Sequence, residues 1–342
     1  MSPVSSIYLG NDISLEPLRK RTVGIIGYGN QGRAQAQNLR DSGIAVVVGL
    51  RKGSASRRTA AEDGLEVKEI RYCLLESDIW MLLLPDEFHG QIFESEIAPV
   101  LKPGKALGFA HGMSVTSKDV VPPDGVDVFL VAPSAPGTIL RENFVHGKGV
   151  PALFAVHRNA TGGAKELALA YGKGIGCGRA CLLETTFEEE TTIDLFGEQA
   201  VVCGGVSALI TTAFETLVES GYSPEAAYIE CLHQLKLTVD LIHREGIAGM
   251  RNKTSNVALY GDLTRGPRLI DGSVKKTMRK MLEEIESGSF VKEWKEENMK
   301  GGVNLKTLKR NADGHDIERV GAHLRSILFG QCEGAKKSVR ES

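Results

Sequence analysis

The 342-residue chain lacks an excess of positive charge. It carries 41 Lys and Arg residues against 43 Asp and Glu residues, for a formal net charge of -2. A protein that binds nucleic acid through the phosphate backbone normally has a basic excess or a basic stripe. We therefore expect no nucleic-acid partner.

The chain also lacks paired cysteines and a long apolar run. Its six cysteines are scattered, and the closest pair, Cys177 and Cys181, has no second pair to complete a zinc site. We read no apolar segment as reaching the about 18 residues of a membrane-spanning helix, and residues 1–18 do not resemble a targeting peptide. We expect a cytoplasmic protein with reduced thiols and no membrane partner.

Short apolar strands and helical segments alternate through residues 23–150, which is typical of a parallel sheet covered on both faces. Strands are predicted at residues 23–26, 45–48, 79–84, 106–110 and 128–132. After about Thr185 the strand pattern ends and a 3.6-residue periodicity begins. Helices are predicted there at residues 192–202, 206–220, 224–244, 273–287, 291–298 and 316–328. The predicted domains are an α/β Rossmann-type domain (1–185), an all-α domain (186–330) and a polar tail (331–342).

A glycine-rich loop directly follows the first predicted strand and precedes a helix. Its residues match the G-x-G-x-x-G pattern and are Gly27, Tyr28, Gly29, Asn30, Gln31 and Gly32. Glycines at these positions allow a tight turn and let a pyrophosphate approach the free N–H groups of the helix start. In this context the pattern favours a dinucleotide site over a structural turn.

The end of the second predicted strand indicates which dinucleotide binds. An NAD enzyme places an Asp or Glu there for the ribose 2'-hydroxyl, but this chain has none. The segment 51–58 instead offers four cations and two hydroxyls, which suit the 2'-phosphate of NADP(H). We predict contacts from Arg51, Ser54 and Ser56. The alternative is an ordinary solvated basic loop.

Two carboxylates stand four residues apart inside an otherwise apolar run. In a helix, Asp194 and Glu198 share one face, and an acidic pair that faces a buried interior is costly without a cation. Hard oxygen ligands indicate Mg2+. Glu230 and Gln234 repeat the spacing. The alternative is a solvated acidic face, and it is stronger for Glu230, which has charged neighbours along its own segment.

Over residues 20–330 the chain resembles the ketol-acid reductoisomerase family, in its short, single-knotted form. The matching segments are 26–32, 48–51, 53–55, 84–87, 110–112, 194–205, 230–233, 255–256 and 260–261. The resemblance implies an NADPH-dependent, two-magnesium enzyme that forms a homodimer with intertwined C-terminal helices. It implies action on acetolactate in branched-chain amino-acid synthesis, by migration of an alkyl group and then reduction of the resulting 2-keto acid.

The resemblance also implies roles for single residues. Asp194 would bridge the two Mg2+ ions, Glu198 would bind one of them, and Glu230 of the partner subunit would bind the other. Ser255 of the partner subunit would contact the substrate carboxylate. The resemblance places His111 beside the nicotinamide and the substrate, although on its own it would be a turn histidine. It further places Pro85, Asp86 and Gly137 in the cofactor-binding set.

Two positions depart from the family pattern. Ser134 stands where the family has a lysine that contacts the metal-bound cluster, and Gln234 stands where it has a second partner-subunit glutamate. One positive and one negative charge are lost together, so the net charge of the pocket is unchanged. We predict that the protein reduces a metal-chelated 2-keto acid or an imine, with isomerisation weakened or lost.

Three alternatives stay open. The protein is a fully active reductoisomerase in which water or Ser134 replaces the lysine, or a catalytically silent dinucleotide-binding partner. The third alternative is a 2-hydroxy acid dehydrogenase without a metal, which EDTA would not inhibit.

Overall fold

A computed structural model describes residues 6–330 of the chain. These residues form two compact units that divide between Ile193 and Asp194. The polar tail predicted for residues 331–342 lies outside the described residues.

Within the described residues, the first unit contains one nine-stranded sheet in the order β1-β9-β8-β7-β6-β5-β2-β3-β4. Its strands are β1 (Ile7–Tyr8), β2 (Thr22–Ile26), β3 (Ala45–Gly49), β4 (Glu66–Lys68), β5 (Ile79–Leu82), β6 (Ala106–Phe109), β7 (Asp127–Pro133), β8 (Ala152–Arg158) and β9 (Leu182–Glu184). Neighbours from β4 to β7 are all parallel. The order reverses between β2 and β5, where doubly wound sheets bind dinucleotides. The predicted Rossmann-type fold is confirmed.

Helices cover both faces of this sheet. The helices of the first unit are α1 (Glu16–Arg19), α2 (Asn30–Asp41), α3 (Ser56–Glu62), α4 (Ile70–Glu76), α5 (His89–Ile92), α6 (Met113–Thr116), α7 (Gly137–Val145) and α8 (Ala164–Gly174). A further helix, α9 (Phe187–Gly197), begins in the first unit and ends in the second. Buried residues of α2 and α8 pack on one face, while α4, α6 and a π-helical segment, Phe93–Ile97, pack on the other. The central strands are therefore buried on both sides, which explains their continuous apolar runs.

The second unit is helical throughout its described residues, as predicted. Its helices are α10 (Gly204–Glu219), α11 (Pro224–Tyr228), α12 (Gln234–Arg251), α13 (Asn256–Leu269), α14 (Gly272–Glu286), α15 (Ser289–Met299), α16 (Val303–Asp313) and α17 (Asp316–Leu328). The prediction missed α13, which contains Pro267 near its end, and α16. Two further π-helical segments, Glu198–Val202 and Ile229–His233, continue α9 and α11.

The second unit leaves many apolar side chains exposed. Its buried cluster consists of Phe214, Ala227, Tyr228, Ile317 and Val320. By contrast, exposed apolar residues occur on most of its helices, for example Val257 (84% exposed) and Tyr260 (65%). Apolar surface on this scale marks an interaction site in a stable protein.

The helical stretch Phe187–Glu219 is long and apolar enough to cross a membrane by length and composition. Its mean hydropathy over the best 18-residue window is 1.7, and 6% of that window is buried. The prediction that no segment reaches this length is therefore wrong, because the π-helical segment joins two apolar stretches. A single helix of this kind is weak evidence for a membrane, since helices covered by other protein pass the same test.

Candidate active site

The glycine loop has the backbone geometry that its sequence predicts. Gly27 has a φ of +106°, and a Cβ there would lie 2.6 Å from the Leu83 carbonyl oxygen. A Cβ on Gly32 would lie 2.5 Å from the Gly27 carbonyl oxygen, whereas one on Gly29 would meet nothing within 4 Å. Two glycines therefore allow the tight turn, and the third leaves open space at the start of α2.

A cavity of about 860 Å³ lies at the carboxyl ends of β2, β3, β5 and β6. Its volume is in the range of small-molecule and cofactor sites. The predicted cofactor residues that line it are Gly27, Tyr28, Gly29, Asn30, Gln31, Arg51, Ser54, Ser56, Pro85, Asp86 and His111. Gly32 and Gly137 are absent from the described residues that line it. The structure thus brings most of the predicted set into one cavity, at the sheet position where dinucleotides bind.

The basic segment contributes fewer cations to this cavity than its sequence suggested. Arg57 donates through Nη1 to the carbonyl oxygens of Leu50 (3.0 Å) and Lys68 (3.2 Å). Arg58 pairs with Glu62 at 2.6 Å. Of the four cations in this segment, Arg51 lines the cavity within the described residues, together with the hydroxyl-bearing Ser54 and Ser56. These are the three residues that the sequence predicts to contact the cofactor.

The turn that carries Ser134 is attached to the glycine loop. Gln31 donates to the Ala135 carbonyl oxygen at 2.8 Å, and the Thr138 N–H donates to Asn30 Oδ1 at 3.0 Å. A Cβ on Gly137 would lie 2.1 Å from the Asn30 carbonyl oxygen. Gly137 therefore supports the loop backbone, and it also lines a second cavity of about 540 Å³ together with Tyr28, Gly29 and Ser56. Ser134 is exposed, and its N–H donates to the Pro151 carbonyl oxygen at 2.9 Å.

Replacing Gly137 by Ala tests this close approach. The added methyl group must push the turn off Asn30, so we expect a loss of about 2 kcal/mol in unfolding free energy and weaker NADPH binding. Gly53→Ala is the matched control for stability, because a Cβ there meets nothing within 4 Å. Urea denaturation of both variants gives the measurement, and equal stability of the two would contradict the packing argument.

His89 joins two loops that line the cavity. Its side chain is 3% exposed, with Nδ1 2.6 Å from Ser114 Oγ and Nε2 2.9 Å from the Leu84 carbonyl oxygen. Because a carbonyl oxygen only accepts, Nε2 carries the proton, and Nδ1 accepts from Ser114. Burial lowers the pKa of His89, which outweighs the opposing effect of Asp86. A neutral imidazole thus connects the loop after β5 with the segment that follows His111.

Replacing His89 by Leu leaves two buried polar groups unsatisfied, so we expect a loss of about 2–4 kcal/mol in unfolding free energy. Gln retains a donor for Leu84 and an acceptor for Ser114, so we expect the unfolding free energy of His89→Gln to be close to that of the parent.

Folding lowers the His89 pKa below 6.5, so as the pH falls the unfolded chain binds the proton before the folded chain does. The unfolding free energy therefore decreases as the pH drops below 6.5. Unfolding measured at several pH values checks this, because the Gln variant lacks that contribution.

Glu190 is a buried carboxylate beside His111. Its side chain is 1% exposed, and its Oε1 lies 3.2 Å from His111 Nδ1. Its Oε2 accepts from the Gly112 N–H at 2.8 Å. The start of α9 packs tightly here, because a Cβ on Gly112 would lie 2.7 Å from the Phe187 carbonyl oxygen. Two donors thus satisfy the carboxylate, which fixes the His111 tautomer and ring orientation.

The sequence analysis missed Glu190. The signal was present, since Glu190, Asp194 and Glu198 recur at four-residue intervals and share one helix face. Asp194 lies one turn beyond Glu190 in α9, and Glu198 begins the π-helical segment that continues it. π-helical segments are frequent at functional sites.

The expectation that Asp194 and Glu198 face a buried interior is wrong for the single chain, in which both are exposed. The physical reason is that the helix itself is uncovered. Its apolar residues Ile193 (49% exposed) and Val202 (66%) are exposed as well. This surface differs from an ordinary solvated acidic face, because the side chains around the carboxylates are apolar.

The remaining predicted residues lie in the second unit. Glu230 is exposed within the segment Ile229–His233, and the exposed Gln234 begins α12. Ser255 caps α13, where its Oγ accepts from the Ala258 N–H at 3.3 Å. Their roles toward a metal or a substrate stay predictions.

Two family models together match most of the chain. The model for the acetohydroxy acid isomeroreductase NADPH-binding domain matches residues 17–181, and the model for the ketol-acid reductoisomerase C-terminal domain matches residues 187–329. The boundary between them falls at the start of α9.

Solved structures agree with this match. The chain is 45% identical to an NADH-preferring ketol-acid reductoisomerase from an uncultured archaeon, over 94% of this chain and 98% of that one, with a TM-score of 0.92. A semialdehyde dehydrogenase NAD-binding protein from Cupriavidus necator is 21% identical over 78% of this chain and 99% of its own, with a TM-score of 0.62. A pyrroline-5-carboxylate reductase from Coxiella burnetii is 12% identical over 78% and 96%, with a TM-score of 0.54. The latter two similarities show the fold alone.

Proposed function

Because this chain belongs to the ketol-acid reductoisomerase family and is a nicotinamide-dependent oxidoreductase, we propose that it is an NADPH- and Mg2+-dependent reductase in which isomerisation is weakened or lost. Its substrate is a metal-chelated 2-keto acid or a related imine. The observation that carries the proposal is the buried contact of Glu190 with His111 and Gly112. It brings the start of the acidic helix to a residue that lines the dinucleotide cavity.

The donor set of α9 and its continuation fits a hard divalent cation. Asp194 and Glu198 supply carboxylate oxygens at one-turn spacing, which are the ligands that Mg2+ prefers. We propose that they hold the ion together with Glu230 of the partner subunit. When bound, Mg2+ acts as a Lewis acid that polarises the substrate carbonyl. Glu190 accepts hydrogen bonds from the His111 ring and the Gly112 N–H, and its role in this proposal is to position His111.

The cavity supports NADPH as the cofactor. No acidic residue follows β3, and Arg51, Ser54 and Ser56 line the cavity near that strand end. An arginine and two hydroxyls suit a phosphate dianion. The archaeal relative is an NADH-preferring enzyme, so a comparison of NADPH with NADH tests this assignment.

The residues around His111 position the substrate and the nicotinamide. Glu190 fixes the ring of His111, and His89 fixes the distance between the Leu84 loop and the segment after His111. Rigid support of this kind matters because displacement of about 1 Å from the productive geometry costs on the order of a hundredfold in rate.

Ser134 and Gln234 support the loss of isomerisation. A serine hydroxyl has no positive charge, so it stabilises a developing oxyanion less than an ammonium group does. Losing one such donor costs on the order of 3 kcal/mol. Alkyl migration depends on that stabilisation, whereas reduction needs the cofactor, a polarised carbonyl and correct positioning. The paired loss of one cation and one anion indicates a compensated change.

We further propose that the protein is a homodimer with intertwined C-terminal helices. The second unit exposes apolar side chains on most of its described helices, and the apolar stretch around Asp194 and Glu198 is uncovered in the single chain. A second copy of the same unit offers a matching apolar surface. Isologous pairing of this kind is the commonest arrangement of soluble oligomers.

Purified protein with NADPH and Mg2+ tests the function on two substrates. One is acetolactate, and the other is the 3-hydroxy-2-keto acid that follows migration. We expect the second to be reduced at least about a hundredfold faster, in line with a lost donor. Equal turnover of both substrates would instead support a fully active reductoisomerase, and turnover of neither, with NADPH still bound, would support a silent binding partner.

A further inference from the structure

We propose that Arg57 is a specificity-determining residue that selects NADPH over NADH without contacting the cofactor. It does so by fixing, through hydrogen bonds, the conformation of the loop of residues 50–56. This loop contains Arg51, Ser54 and Ser56, which line the cavity. The inference deepens the proposed function and rests on its NADPH preference.

The Arg57 side chain connects the loop to two strands of the sheet. Arg57 is the second residue of α3, directly after the loop. A single nitrogen, Nη1, donates to the carbonyl oxygens of Leu50 at 3.0 Å and of Lys68 at 3.2 Å. Leu50 follows the last residue of β3, and Lys68 is the last residue of β4. The side chain thus extends across the loop, so that the residue after its last position is hydrogen-bonded to Leu50, its first residue.

One backbone hydrogen bond attaches the first residue of the loop to the sheet, since the Leu50 N–H donates to the Lys68 carbonyl oxygen at 3.0 Å. The remaining hydrogen bonds of the loop are local. The Ser54 N–H donates to the Arg51 carbonyl oxygen at 3.0 Å, and the Ser56 N–H donates to Ser54 Oγ at 3.3 Å. These bonds shape a turn but do not attach it to the sheet. Attachment matters because a phosphate site that is ordered before binding loses less conformational entropy when the ligand arrives.

Arg57 acts through the loop because it is absent from the described residues that line the cavity. NADH lacks the 2'-phosphate that the loop is proposed to bind, so a less ordered loop reduces the affinity for NADPH but not for NADH. A general loss of folding would reduce the affinity for both cofactors alike.

The neighbouring Arg58 provides a matched control. It has the same charge and lies one residue further along α3, but its side chain is 86% exposed and pairs with Glu62. Comparing Arg57→Met with Arg58→Met separates the contact with the two carbonyls from the loss of one positive charge near the phosphate. Arg57→Lys keeps the charge but lacks the planar guanidinium.

The experiment measures dissociation constants of NADPH and NADH for the full-length protein and these three variants by fluorescence titration. We expect Arg57→Met to weaken NADPH binding about tenfold, which is a common scale for loss of preorganisation, and to change NADH binding less than about twofold. We expect Arg57→Lys to show most of the loss of NADPH affinity seen in Arg57→Met, and Arg58→Met to bind NADPH almost as tightly as the parent. Thermal unfolding confirms that each variant is folded.

Three results would overturn the inference: equal losses in Arg57→Met and Arg58→Met, equal losses for both cofactors, or a Lys variant that binds like the parent. If the parent protein binds NADPH and NADH equally well, the proposed NADPH preference itself is contradicted, rather than the role of Arg57. The loop attachment is tested separately by amide hydrogen exchange without cofactor. Faster exchange at residues 50–56 in Arg57→Met supports the attachment, and unchanged exchange contradicts it.

Discussion

Restoring a lysine at position 134 together with a glutamate at position 234 is expected to raise turnover of acetolactate about a hundredfold. Ser134→Lys supplies the ammonium group that stabilises oxyanions during migration, and Gln234→Glu keeps the net charge of the pocket unchanged. Reduction of the 3-hydroxy-2-keto acid should change little, since it does not depend on that donor.

Single substitutions separate the effect of the ammonium group at position 134 from the effect of the negative charge at position 234. Ser134→Lys alone adds an uncompensated positive charge, so we expect a smaller gain than in the double variant. Ser134→Ala is the control for removal of the hydroxyl, and it should leave both activities near those of the parent. If the double variant reduces the 3-hydroxy-2-keto acid normally but gains no activity on acetolactate, these two positions do not explain the weakened isomerisation.

Replacing Asp194 by Asn is expected to reduce Mg2+-dependent reduction at least about a thousandfold, because an amide oxygen is a poorer ligand for a hard cation and the Lewis acid is lost. NADPH binding should persist, because the cofactor cavity lies in the first unit and is lined by other residues. Steady-state turnover across a range of Mg2+ concentrations, with fluorescence titration of NADPH, gives both quantities.

Asp313→Asn is the control for this change. Asp313 is an exposed acid that pairs with Lys309 on α16, so its loss removes the same charge from an ordinary solvated face. We expect parent-like turnover and an unchanged Mg2+ dependence. An Asp194 variant that retains activity in EDTA would show that the enzyme is a metal-free dehydrogenase.

The sequence predicted strands β2, β3, β5, β6 and β7 of the first unit because their patterns are local, but it missed β1, β4, β8 and β9. The strand before Gly27, the helix that begins at Asn30 and the missing acid after β3 all follow from short segments. The contacts of Arg57 were not predictable, because its two acceptors are backbone atoms and one of them belongs to the next strand. The close approach of Gly137 to Asn30 was not predictable for a similar reason, since it joins segments about a hundred residues apart in the chain.

The second unit was harder to predict for a different reason. Apolar periodicity indicates which face of a helix packs against other protein, but it does not show whether that protein is the same chain or a second one. Asp194 and Glu198 were therefore expected to be buried and are exposed in the single chain. Glu190 was missed because its neighbours Glu188 and Glu189 make it look like part of a surface acidic cluster. Its burial and its contacts with His111 and Gly112 distinguish it from them.

Co-expression of two inactive variants tests most directly whether the acidic site is shared between two copies of the chain. One variant carries Asp194→Asn and the other Glu230→Gln. If each site takes Asp194 from one chain and Glu230 from its partner, a mixed dimer has one intact site. Random pairing in equal amounts then restores about one quarter of the parent activity. Activity no higher than that of either variant alone, in a preparation shown to contain mixed dimers, would contradict a shared site.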